Sequence, residues 1–71
     1  MRIIITKHAR NRIIRRKIQE YEVVEALNYP EQIKKRHGRY LFQKKLERGT
    51  IEACCERTES NIKVITVYWL K

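Results

Sequence analysis

Hydrophobic and polar positions change their period once along this chain, near residue 31. Before that point the apolar residues recur at helical spacing, and after it they alternate with a period of two. The opening Arg2–Ile5 is a short β-branched run and predicts a strand. Thr6 is placed to cap the helix that follows, predicted over Lys7–Lys17, in which Ala9, Ile13 and Ile14 make a narrow apolar stripe. Ile18 and Gln19 separate it from a second helix over Glu20–Asn28. That helix carries Val23, Val24, Ala26 and Leu27, with acids in its first turns where the helix dipole favours them. Tyr29-Pro30 ends it, because a residue before proline is pushed out of the α region.

Four strands are expected in the remainder. The first, Gln32–Arg36, meets His37-Gly38, a two-residue hairpin turn. Tyr40–Leu46 follows, closed by Glu47-Arg48-Gly49. In Thr50–Arg57, Ile51, Ala53 and Cys55 share one face, and Thr50, Glu52 and Glu56 the other. Ile62–Leu70 is apolar on both sides. Strict alternation puts Ile62, Val64, Thr66 and Tyr68 on one face and Ile65, Val67 and Trp69 on the opposite one. Such a strand belongs mid-sheet with both sides covered. The order is therefore β-α-α-β-β-β-β: an α+β fold with two helices on one face of a mostly antiparallel sheet. On this alternation Ile65, Val67 and Trp69 face away from the helices and stay partly wet, which predicts a homodimer or a partner protein.

At 71 residues the chain forms one domain, residues 1–71, with a small core. Charge changes the picture more than length does. Seventeen Lys and Arg against eight Asp and Glu give +9, a field that draws nucleic acid or an acidic protein. Residues 1–17 hold no acid, and 34–48 hold only Glu47. A thermophile's charged surface also accounts for the richness in Lys, Arg, Glu and Ile, although such surfaces usually balance their signs. No apolar run reaches the length of a bilayer span or a signal peptide, so the expected compartment is the cytoplasm. Adjacent Cys54 and Cys55 have neither metal-ligand nor redox spacing, and only His8 and His37 could join them. No metal or cofactor is expected.

Candidate chemistry centres on the first helix. His8, Arg12 and Arg16 fall at i, i+4 and i+8 and stack along one ridge. A cationic stripe destabilises a helix unless an anion lies across it. Phosphate fits, because arginine offers a bidentate fork and histidine exchanges a proton near pH 7. Arg15, Lys35, Arg39, Tyr40 and Tyr68 supply the basic and aromatic groups of a nucleic-acid surface, on which bases stack and phosphates are neutralised. There is no Gly-rich phosphate loop, nucleophile elbow or spaced carboxylate pair.

A collinear set of short motifs spans nearly the whole chain: His8-Ala9 with Arg12, Arg16-Lys17-Ile18, the Val23-to-Leu27 segment, Asn28-Tyr29-Pro30-Glu31, Gly38-Arg39-Tyr40 and Val64–Tyr68. It resembles a small uncharacterised prokaryotic domain family with an N-terminal H-A-x-x-R motif. That family is similar to the compact ribonuclease toxins of the RelE and BrnT type. The resemblance implies a RelE-like fold, RNA as substrate, an acidic antitoxin-like partner, and His8, Arg12 and Arg16 in catalytic positions. The function expected is a small basic RNA-binding domain, in its catalytic form a toxin-type, metal-independent endoribonuclease. There a ribose 2′-hydroxyl attacks the adjacent phosphate, with His8 moving the proton and the two arginines stabilising the phosphorane. The alternative is a non-catalytic module that binds nucleic acid or an acidic protein through its basic face.

Overall fold

The computed structural model describes residues 2–71. In chain order the elements are β1 (Arg2–Ile5), α1 (Lys7–Arg15), α2 (Glu20–Asn28), β2 (Gln32–Arg36), β3 (Arg39–Leu46), β4 (Gly49–Arg57) and β5 (Asn61–Leu70). The strands form one sheet in the order β1-β5-β4-β3-β2. β1 runs parallel to β5, and every other neighbouring pair is antiparallel. The fold is α+β, with the predicted element order.

Local chemistry sets the helix limits. The Thr6 hydroxyl accepts from the Ala9 amide at 3.1 Å and donates to the Val64 carbonyl at 2.8 Å, tying the start of α1 to β5. α1 stops at Arg15, two residues short of the expected Lys17. Lys17 takes a left-handed φ of 57°, its amide donates to the Ile14 carbonyl, and the Ile18 amide donates to the Ile13 carbonyl. This is a Schellman ending built on lysine where glycine is usual. It turns the chain at once into α2, whose Gln19 amide donates to the Glu22 carboxylate at 2.9 Å. His37 and Gly38 both have positive φ, 51° and 77°, the conformation of a type I′ hairpin turn.

The core is one-sided. Ala9 and Ile13 of α1, Ile18, and Val23, Ala26 and Leu27 of α2 pack on Phe42, Ile51, Ala53, Cys55, Val64 and Val67. Burying each of the larger apolar side chains contributes about 1.5–3 kcal/mol. Burial pushes the Cys55 thiol up to about 12, so it sits in this core as a protonated, inert group.

A bulge in β5 overturns the expected assignment of its faces. Cys54 pairs with Thr66 but Cys55 pairs with Val64, so Ile65 is an extra residue opposite that junction. Ile62 and Val64 face the helices before the bulge; Val67 and Trp69 face them after it. Val67 is fully buried, and Trp69 packs against the core instead of lying on the uncovered face. The Trp69 indole donates to the Arg16 carbonyl at 2.8 Å, and its ring approaches within 3.4 Å of where a Cβ on Gly49 would lie. The motive for a dimer through Trp69 and Val67 is therefore gone. Strict alternation failed because a single inserted residue inverts every later position.

Candidate nucleic-acid interface

With both helices on one side, the other face of the sheet is bare. The strand registers build it in rows. Arg36 stands opposite Arg39, Lys34 opposite Leu41 and then Cys54, and Gln43 opposite Glu52 and then Tyr68. Tyr68 reaches this face because of the bulge. All of these residues except Lys34 and Gln43 line a concavity of about 440 Å³, together with His37 at its rim. The rows of Arg39 and Gln43 are four residues apart on β3, about 13 Å at the backbone.

The floor is a hydrogen-bonded row of polar side chains. Gln43 Nε2 donates to Glu52 Oε1 at 2.7 Å, and the Tyr68 hydroxyl donates to Glu52 Oε2. Glu52 is only 6% exposed. None of the ion pairs among the described residues includes it, so neutral donors alone compensate its carboxylate. Burial, reinforced by the bond to Glu52, pushes the Tyr68 phenol up to about 12 and keeps it a donor at neutral pH.

The rim is cationic. Directly opposed like charges destabilise a strand pair, and the hairpin turn forces Arg36 against Arg39. Arg39 meets Glu56 at 3.4 Å, whereas Arg36 has no acid partner among the described residues. A planar guanidinium left free beside a concavity is a ready anion contact.

The expected site residues are divided by the sheet. Arg39 and Tyr68 come together in the basin. Lys35 and Tyr40 point to the helix side, where the Lys35 ammonium and the Arg57 guanidinium lie 5.5 and 5.8 Å from the Tyr40 ring centroid. His8, Arg12, Arg15 and Arg16 belong to α1 or its C-cap, on the covered side of the sheet. Arg12 Nε donates to His8 Nε2 at 3.3 Å, so those two side chains do stack. Arg16 Nη1 instead donates to the Val67 carbonyl at 2.7 Å, filling the edge of β5 beyond the end of β1. Arg36, His37, Gln43 and Glu52 were not foreseen as site residues. The hairpin register alone would have paired Arg36 with Arg39; joining Glu52 to Tyr68 required knowledge of the bulge.

Among the described residues no cluster of three His, Cys, Asp or Glu could hold a metal ion. Among the described residues no helix is long and apolar enough to cross a membrane.

The fold and site define an α+β domain that keeps one sheet face bare and gathers arginine, histidine, phenol and carboxylate on it. The chain belongs to the family described as domain of unknown function DUF4258, whose model matches residues 5–69 and so takes in every basin residue. No curated protein and no solved structure matches the chain.

Proposed function

We propose that the protein is an RNA-binding domain and that the bare sheet face is its RNA surface. One observation carries this reading: a concavity rimmed by Arg36, His37 and Arg39, with Arg36 lacking an acid partner among the described residues, on a chain of net charge +9. Phosphate neutralisation by such groups supplies most non-specific affinity for nucleic acid.

Metal-independent cleavage, in the manner of the RelE and BrnT type toxins that the sequence resembles, is a second reading. It is favoured by the buried Glu52 carboxylate and the protonated Tyr68 phenol side by side on the basin floor. An acceptor and a donor so placed suit attack by a 2′-hydroxyl and protonation of the leaving oxygen.

Titrating labelled single-stranded RNA over a range of salt, with EDTA present throughout, tests both readings. Contact with about five phosphates gives a slope of log affinity against log salt near −3.5, and Arg36→Ala with Arg39→Ala flattens it by roughly 1.4. Cleavage in the same tubes would leave 2′,3′-cyclic ends and vanish on an all-deoxy strand. Loss of that cleavage in His8→Ala, but not in Tyr68→Phe, would move the chemistry to the α1 ridge. A slope near zero, or polyglutamate binding as tightly as RNA, would overturn the RNA reading in favour of an acidic protein partner.

A further inference from the structure

Glu52 is an odd residue to keep where it is. A buried carboxylate without a cationic partner is costly, and replacing such groups by apolar residues of similar size is often neutral or stabilising. Here the carboxylate lies under a basin whose rim is cationic, yet no rim arginine pairs with it. Among the described residues its two donors occupy one position on each oxygen: Gln43 on Oε1, Tyr68 on Oε2. Each carboxylate oxygen accepts at two positions, so one acceptor site remains on each oxygen. Their orientation is fixed by cross-strand bonds on both sides.

The surroundings match the parts of one nucleotide. Leu41 and Cys54 lie in the row between the arginines and Glu52, offering a weakly polar strip for a base to lie over. Arg36 and Arg39 stand at one end of this strip for the phosphate, and the carboxylate at the other for the base edge. The volume, about 440 Å³, is within the range of about 300–1,000 Å³ typical of small-ligand sites. Of the four bases, guanine alone presents two adjacent N–H donors, at N1 and N2, to a carboxylate. Uracil and adenine turn at least one acceptor toward it, which leaves lone pairs opposed.

We propose that the basin is a base-specific nucleotide subsite, in which Glu52 accepts from the N1–H and N2–H of a guanine while Arg36 and Arg39 hold its phosphate. This rests on the RNA-binding reading and adds to it a preference for one base. It also makes Gln43 and Tyr68 positioning residues, which hold the carboxylate in the orientation the base meets.

The test uses a uridine 13-mer carrying G, inosine, A, C or U at its centre, with binding followed by fluorescence anisotropy. The guanine oligomer is expected to bind about tenfold more tightly than the adenine and uridine ones, with inosine, which lacks the 2-amino group, in between. Glu52→Gln is expected to erase this order, so that the five oligomers bind within about twofold of one another. If Glu52→Gln fails to fold, by circular dichroism, the inosine-to-guanine difference measured on the native protein still decides the matter. Equal affinity for all five oligomers overturns the base preference and leaves RNA binding standing. Failure of every oligomer to bind at low salt overturns the RNA reading itself.

Discussion

Lys17 occupies the left-handed region, where a side chain crowds the following carbonyl, because α1 must end within one residue and hand over to α2. Its side chain is exposed, and only its backbone carbonyl is used, accepting from Arg48 Nη2 at 3.2 Å. Lys17→Gly removes the steric penalty and adds some disorder to the unfolded chain, which leaves a net gain of about 0.5 kcal/mol. A urea midpoint shifted upward at unchanged slope would show it; a downward shift would mean that the lysine side chain contributes to the native state. Tyr68 shows the same economy from the other side. One phenol serves as cross-strand neighbour, donor to Glu52 and wall of the basin, and its raised pKa keeps it in the donating form. Removing that hydroxyl acts on the site, whereas changing Lys17 acts on stability alone.

At the level of elements, β5 decides where everything lies. Ile65 is a single unpaired residue, yet it sends Val67 and Trp69 under the helices and Tyr68 onto the bare face. Trp69 also joins elements distant in sequence, through its indole bond to Arg16 and the Arg48 guanidinium 5.3 Å from its ring centroid. Trp69→Ala should therefore cost about 3 kcal/mol of folding stability, read by circular dichroism in urea; a variant as stable as the parent would return Trp69 to the solvent side. The helices, the hairpin turn, the strand order along the chain and the side taken by Ile51, Ala53 and Cys55 were all legible from periodicity, since each depends on residues close together in sequence. The faces of Val67, Tyr68 and Trp69 were not, because a bulge leaves no mark in an apolar run with no polar alternation to break. The site divides likewise. Arg39 and Tyr68 were visible as a basic and an aromatic residue on strands, but Glu52 looked like an ordinary acid on the polar side of β4. Only the three-strand register makes it the floor of a basin. Helical spacing brought His8 and Arg12 together, whereas Arg16 lies at the C-cap of α1, and what it bonds to depended on where β1 ends.

Over the whole molecule the acids are few and mostly engaged. Glu20, Glu22, Glu31 and Glu56 pair with Arg10, Arg48, Lys44 and Arg39, and Glu52 is held by Gln43 and Tyr68. What remains outside is cationic on both layers, which suits polyanion binding and strains the fold through self-repulsion. Acid removes the few negative charges that offset this, and among them Glu22 is the one whose pairing is built most firmly into the fold. It lies 4% exposed at the start of α2, bonded by both Arg48 guanidinium nitrogens at 3.0 and 3.1 Å. The Arg48 hydrogen bonds first, and the Gln19 amide with them, hold its carboxyl below the ordinary 4.5 in spite of burial. A carboxyl depressed in the folded state binds fewer protons there than in the unfolded chain. Its contribution is complete above pH about 4.5 and is lost as the pH falls through the depressed value. Arg48→Ala should accordingly lower the urea midpoint at pH 7, and the gap from the parent should narrow as the pH falls below 4.5 through the depressed value, because a protonated Glu22 no longer needs its partner. The gap should not close fully, because stacking of Arg48 on Trp69 and its bond to the Lys17 carbonyl do not titrate in that range. Glu22→Gln should show the same narrowing with a smaller gap at pH 7, since the amide keeps one acceptor for Arg48. Urea titrations at pH 7 and at a series of lower pH values decide it: a gap for Arg48→Ala that stays constant from pH 7 to the acid limit of the folded state would remove Glu22 from the acid response of the fold.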